Sequence, residues 1–189
     1  MFYKSKKPSF AQLYASLALC PLSKNGKGIF KKNYFYWEFD IKPSTFSKLY
    51  KILLIWDIKT SSPNVFVLDT DVWEVAEQRD IPHLYDYKKI KLCLYHPLYN
   101  QYNRNMSLCE TIIAWTYLWL FYYEEWLYSD DWKGGGEHPK PKKEPKKISP
   151  LKKIRVSKKR NKEKPSLVDR IYNQRKDIYL QQMSTPTLL

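Results

Sequence analysis

The 189-residue sequence is poor in cysteine. It has only three, Cys20, Cys93 and Cys109, and none of them forms a Cys-x-x-Cys motif. An odd number of scattered cysteines argues against a disulfide framework and fits a reducing compartment, so we expect unpaired thiols in a cytoplasmic protein. Structural zinc needs about four ligands, usually in paired spacings. The cysteines and the three histidines show no such spacing, and we expect neither a metal nor a cofactor.

The sequence also lacks an apolar run long enough to span a bilayer. Ile112–Tyr123 is a candidate, but it is bounded by Glu110 and by Glu124. A spanning helix needs about 20 residues, and this run has only about a dozen. We therefore expect no membrane span.

Acidic residues are scarce near the C-terminus. Residues 140–189 hold 16 of the 33 Lys and Arg residues but only 4 of the 19 Asp and Glu residues, so they carry most of the net charge of +14. We predict one domain over residues 1–139 and a disordered Lys/Arg/Pro-rich tail over 140–189, with a short helix at 167–182 capped by Ser166 and Asp169. Such a tail suits an anionic partner, either nucleic acid or a membrane surface, or it serves only as a solubilising extension.

Hydrophobic periodicity predicts an α+β fold, in which an antiparallel strand meander packs against a long aromatic helix. The first helix, 9–20, has Ser9 as its N-cap and ends at Pro21. A turn is predicted at 23–28, and residues 70–90 are predicted to be irregular. The predicted strands are 33–41, 49–58, 64–69 and 90–95.

The long helix is predicted over 107–127. Ser107 and Glu110 have the spacing of a capping box, and Gly134–Gly136 prevent the helix from continuing. Its apolar face is predicted to consist of Leu108, Ile112, Trp115, Trp119, Tyr122 and Trp126.

Cys93 is the first candidate for a working residue, since it lies near the end of a short strand-like run. His83 and His96 are close in sequence, and Lys88, Lys89 and Lys91 make the local field positive, which favours a thiolate. The alternative is a buried, inert cysteine, which is the commoner situation in apolar surroundings. Cys109 is expected to be buried in the core, and His138 to be a solvated loop residue or a weak supporting group.

Four segments resemble ubiquitin-conjugating enzymes. They are PHLY at 82–85, LCLYHP at 92–97, TIIAWTYLWLFYYEEWL at 111–127 and WKGGGEHP at 132–139. Together they are similar to the bacterial relatives of that fold in cyclic-oligonucleotide antiphage systems (CBASS). The resemblance covers roughly residues 9–139 and leaves the basic tail outside it.

The resemblance implies that Cys93 accepts the C-terminus of a partner protein as a thioester and passes it to an amine. In the bacterial systems that partner is a cyclic-nucleotide synthase (CD-NTase). The eukaryotic enzymes carry a His-Pro-Asn triplet, whereas this chain has Pro82, His83 and Leu84. His83, Tyr85 or backbone amides are therefore the candidates for oxyanion support, with His96 as a weaker candidate for the site.

The sequence also departs from the bacterial relatives after the Leu-Cys-Leu-Tyr motif, where they often carry Glu-Trp and this chain has NQYN at 100–103. Two other functions stay open at this point. One is a catalytically idle adaptor of the same fold, and the other is a nucleic-acid-binding protein that acts through the tail.

Overall fold

The structure is a computed structural model that describes residues 7–96, 99, 101–136 and 164–184. It combines one six-stranded sheet with four α-helices in this part of the chain, which confirms the predicted α+β class. The helices are α1 (Phe10–Leu19), α2 (Thr70–Gln78), α3 (Ala114–Ser129) and α4 (Leu167–Ser184), and a π-helical segment, Cys109–Ile113, leads into α3. The strands are β1 (Lys27–Phe30), β2 (Tyr34–Ile41), β3 (Tyr50–Asp57), β4 (Asn64–Val67), β5 (Leu84–Asp86) and β6 (Lys91–Leu92).

The sheet has the order β1-β2-β3-β4-β6-β5, and each of these pairs is antiparallel. Its first four strands form the meander that the sequence predicts. In β3, Leu54 and Trp56 face one hydrophobic core while Leu53 and Ile55 face another. Because successive side chains point to opposite faces, a strand that is apolar at nearly every position is covered on both sides.

The helix α1 lies over the first face of the sheet. Ser9 and Gln12 form a reciprocal capping box at its start. The Phe10 ring packs against Phe35, with 4.7 Å between the ring centroids, and lies 5.5 Å from the Trp56 ring. This aromatic contact belongs to the same core as Trp119, Leu120 and Tyr123 of α3.

Three elements escaped the sequence prediction. The predicted turn at 23–28 runs into β1, where a side chain on Gly28 would meet the Tyr36 carbonyl oxygen at 2.0 Å. The predicted irregular stretch at 70–90 contains α2 and β5. Among its nine residues α2 fully buries only Val72, so its apolar stripe is too thin to be recognised in the sequence.

The prediction of unpaired cysteines is wrong for two of the three. Cys20, the C-cap of α1, and Cys109, the first residue of the π-helical segment, form a disulfide across 89 positions of sequence. Their Cα atoms lie 5.5 Å apart. An odd cysteine count says nothing about which helix ends the fold brings together, and Cys93 is the cysteine left over.

The long helix begins differently from the prediction. The Oγ of Ser107 accepts a hydrogen bond from the Glu110 amide at 3.3 Å, but five π-helical residues follow before α3 begins. A π-helical turn holds more residues than an α-helical one, so it rotates the positions that follow it. Trp119 and Trp126 are buried as predicted, whereas Trp115 and Tyr122 are only partly buried, and Leu120 and Tyr123 lie in the core instead. The helix ends at Asp130, in the left-handed conformation with φ of 55°, before the glycines are reached.

The helix α4 covers the second face of the sheet. Ser166 and Asp169 cap it as predicted, and its Tyr172 packs on Phe66 with 4.8 Å between centroids. Arg175 forms a two-pronged ion pair with Glu38, with 2.7 Å between Nη2 and Oε2. The segment predicted to be a basic tail therefore contributes part of its charge to the fold, while the predicted disorder at 140–163 falls outside the described residues.

A search of the described helices for a transmembrane segment found none that combines sufficient length with sufficient apolarity.

Candidate active site

Cys93 lies one residue beyond β6, at the point where the sheet ends. Its amide donates a hydrogen bond to the His83 carbonyl oxygen at 2.9 Å, and the indole Nε1 of Trp119 donates to the same oxygen at 3.0 Å. A single carbonyl thus joins the cysteine segment to the long helix. His83 itself has a φ of 55°, a left-handed conformation that is uncommon outside glycine and is frequent at functional sites.

Cys93 and the buried His83 line the same cavity, which has a volume of about 300 Å³. Half of its lining residues are aromatic, and the backbone of the loop after α3 forms part of its wall. The other lining residues are Leu94, Trp115, Leu118, Trp119, Tyr122, Trp132, Gly134 and Gly135. The sequence analysis assigned Trp115, Trp119 and Tyr122 to the apolar, scaffolding face of the long helix, and the structure places all three in the wall of the cavity beside Cys93.

The loop after α3, which contributes Gly134 and Gly135 to the cavity wall, is held by aromatic contacts. The ring of Trp132 lies 5.1 Å from the ring of His83 and 5.8 Å from that of Trp119. A Cβ on Gly134 would lie 2.6 Å from Trp132 Nε1 and 2.8 Å from Tyr122 Cδ2, so only glycine fits there. At Gly135, by contrast, an added Cβ would meet nothing within 4 Å. The two glycines have different roles, since the first is required by packing and the second borders open space.

Tyr85 lies on the other side of Cys93. Its hydroxyl donates a hydrogen bond to the Tyr95 carbonyl oxygen at 2.7 Å and is within hydrogen-bonding reach of the Cys93 sulfur. A hydroxyl has one proton and two lone pairs, so it can accept from a thiol while donating to the carbonyl, or donate to a thiolate instead. Burial raises the pKa of Tyr85, which keeps the phenol protonated.

The Cys93 residue is 8% exposed. Burial raises its pKa above the ordinary value, and the hydrogen bond with Tyr85 acts in the opposite direction but does not cancel the effect. Of the lysines that the sequence suggested as thiolate-stabilising groups, Lys89 pairs with Asp86 and with Asp169 of α4. Lys91 lies over the Tyr85 ring, with 5.6 Å between its Nζ and the ring centroid. Burial of Cys93 therefore favours the neutral thiol over the thiolate.

The family comparison bears on this geometry. The family model for type II CBASS E2 proteins matches residues 17–139, which include Cys93, His83 and the glycine loop. The chain belongs to this family. No curated protein matches the chain in sequence.

The family match of this CBASS E2 protein stops before α4. The matched region therefore includes all six strands and α3 but not the helix that covers the second face of the sheet. The match also leaves out the first part of α1, including Phe10 and the capping box.

His96 of the CBASS E2 protein does not share the cavity, whose lining within the described residues includes His83 and Cys93. The backbone amide of His96 donates a hydrogen bond to Gln101 Oε1 at 2.8 Å, and its ring lies 4.6 Å from that of Tyr99. His138 falls outside the described residues. Of the two histidines within the described residues, His83 is the one that the structure brings to the cysteine.

Trp132 is the site residue that sequence reasoning passed over. It was part of the segment WKGGGEHP that supported the family resemblance, but no role was attached to it. A tryptophan two residues before a glycine run, after a helix rich in aromatic residues, is the signal in the sequence that points to a folded loop. The CBASS E2 protein uses this residue to hold the loop against His83.

Proposed function

We propose that this CBASS E2 protein carries the C-terminus of a partner protein as a thioester on Cys93 and transfers it to an amine in antiphage defence. The partner is a cyclic-nucleotide synthase of the CD-NTase type. The observation that carries the proposal is the position of Cys93: it is the cysteine outside the disulfide, and it lines a cavity together with His83. Membership of the E2 family supports the same chemistry.

The reaction has two acyl-transfer steps, the first onto the Cys93 sulfur and the second from the sulfur to an amine. The Cys93 thiol loses its proton, and the sulfur bonds to the carbonyl carbon of an activated C-terminus, either an acyl adenylate or a thioester, whose leaving group departs. The acceptor amine then attacks that carbon, the carbon–sulfur bond breaks, and the amine loses a proton to leave an amide. Thiolates suit both steps because they are good nucleophiles and good leaving groups.

His83 and Tyr85 are the side chains proposed to assist. Tyr85 is positioned to donate to the sulfur when the thiol loses its proton, and this donation offsets part of the cost of a buried charge. His83 lines the cavity in which the carbonyl oxygen develops negative charge, so its ring is the first candidate for oxyanion support or proton transfer. His96 is a weaker candidate, because its ring packs on Tyr99 outside this cavity.

The test is adduct formation by the purified protein with the synthase and an activating enzyme. We expect an adduct on non-reducing gels that hydroxylamine cleaves, and a more resistant oxyester when Cys93→Ser is used. Hydroxylamine is preferable to a thiol reductant, which would also open the Cys20–Cys109 disulfide. The double variant Cys20→Ala/Cys109→Ala should still form the adduct. An equal yield of conjugate from Cys93→Ala would refute the proposed enzyme.

A catalytically idle adaptor is the second candidate, and the burial of Cys93 favours it. A cysteine that is buried in this way, with a raised thiol pKa, is a slow nucleophile unless a partner opens the site. If antiphage protection by Cys93→Ala equals that of the wild-type protein, the adaptor is the better description.

A further inference from the structure

The cavity beside Cys93 has an unusual chemical character for a site next to a reacting thiol. Among the described residues that line it there is no Asp, Glu, Lys or Arg, and four are Trp or Tyr. A charged side chain entering it would lose its water without gaining an ion-pair partner, which is unfavourable. An apolar side chain would be stabilised there by burial. The cavity therefore distinguishes occupants by polarity.

The size of the cavity limits what enters it. Its volume of about 300 Å³ is at the lower end of the roughly 300–1,000 Å³ typical of pockets for drug-sized ligands. It has room for one or two side chains and not for a folded element. Its open mouth and the sulfur in its wall suit an extended chain end that reaches the thiol.

We propose that this cavity binds an apolar side chain from the last two residues of the partner's C-terminus and so selects the cargo that is loaded on Cys93. The inference rests on the proposed function, because it needs an acyl group on the sulfur. Consecutive Cα atoms are about 3.8 Å apart, so the residues just before the acyl carbon lie within a few ångströms of the sulfur and of the cavity walls. Trp115, Trp119 and Trp132 form aromatic parts of the cavity wall. A partner with a charged side chain in the residues that reach this wall is rejected.

Gly135 gives a way to change the cavity without disturbing the fold. An added Cβ there meets nothing within 4 Å, whereas one on Gly134 clashes with Trp132 and Tyr122. Gly135→Leu therefore fills part of the cavity from its open side, and Gly135→Ala fills less of it. Phe46→Ala is a control, since Phe46 is 98% exposed and lines a different cavity.

The experiment uses synthetic peptide thioesters, which load the cysteine by thiol exchange without an activating enzyme. One series carries Leu, Phe, Gly, Asp or Lys before a terminal glycine thioester, and a second varies the terminal residue itself. Loading of the full-length protein is followed by intact mass. In at least one series we expect the Leu and Phe donors to load at least about tenfold faster than the Asp and Lys donors, a difference of about 1.4 kcal/mol. Gly135→Leu should remove this preference, Gly135→Ala should weaken it, and Phe46→Ala should keep it.

The outcomes separate the two proposals. Equal loading by all donors in both series overturns the inference and leaves the thioester function standing. A Gly135→Leu variant that loads normally but transfers slowly to an amine assigns the cavity to the acceptor and also overturns it. If no donor loads Cys93, the proposed function fails and the inference with it. The donor series on the wild-type protein decides the matter even if Gly135→Leu does not fold.

Discussion

The disulfide between Cys20 and Cys109 should contribute substantially to stability. It closes a loop across 89 positions of sequence, from the end of α1 to the π-helical segment before α3. The chain-entropy relation gives about 4.6 kcal/mol for a loop of this length. Measured values are often lower, so Cys20→Ala/Cys109→Ala is expected to lose about 2–5 kcal/mol. For a chain of this size each kcal/mol corresponds to about 2–4 °C, and Tm should fall by roughly 5–15 °C.

The assay has a chemical part and a thermal part. When the protein is unfolded without reductant and treated with iodoacetamide, one alkyl group per molecule is expected, on Cys93. After reduction, three are expected. In thermal scans a reductant should lower the Tm of the wild-type protein and of Cys93→Ala, but not that of the double alanine variant. Three alkyl groups without reduction, or a wild-type Tm that ignores the reductant, would refute the reasoning.

Three further predictions follow from the helix α4 and the site. Arg175→Ala should lower the free energy of unfolding by about 2–4 kcal/mol, because it leaves the Glu38 carboxylate buried without its partner. The amides of α4 should then exchange faster in hydrogen-exchange mass spectrometry. Unchanged exchange would show that the ion pair is dispensable. The alkylation rate of Cys93 should keep rising with pH beyond the range in which the rate of an ordinary thiol levels off, because burial raises the pKa of the Cys93 thiol. Tyr85→Phe removes a hydrogen bond that lowers this pKa, so it should move the curve of rate against pH to still higher pH. Superimposable curves for the wild-type protein and Tyr85→Phe would remove Tyr85 from the site. His83→Gly and His83→Asn both tolerate the left-handed backbone, so if the ring supports the oxyanion, the asparagine variant should load and transfer at least about tenfold faster than the glycine variant. Equal rates for those two variants would leave only a structural role for the His83 ring.

Much of the fold could be predicted because its signals are local. The run LYKILLIWDI is apolar at almost every position, and it forms the strand covered on both faces. Ser9 and Ser166 mark the starts of α1 and α4 with the expected hydrogen bonds. Such features depend on a few neighbouring residues, so a single sequence contains them.

The remaining features depend on contacts between distant segments. The disulfide requires the end of α1 to meet the start of the long helix, and no spacing of cysteines encodes that meeting. The π-helical segment rotates the face of α3, so Tyr122 lines the cavity instead of the core, and Trp115 lines the cavity while it also packs against the core. The position of Trp132 against His83 depends on a loop closing over the end of the sheet. The sequence thus indicated the cysteine but not the walls around it.

The indole of Trp119 offers a way to observe the proposed reaction directly. Its N–H donates to the same carbonyl oxygen that accepts the amide of Cys93. If acylation of the Cys93 sulfur moves the Cys93 amide, the length of the indole hydrogen bond to the shared carbonyl oxygen changes. The chemical shift of the indole proton would change with it. In a protein labelled with ¹⁵N at tryptophan, a single resonance would then report loading and discharge of the cysteine in real time, without a tag on the cargo.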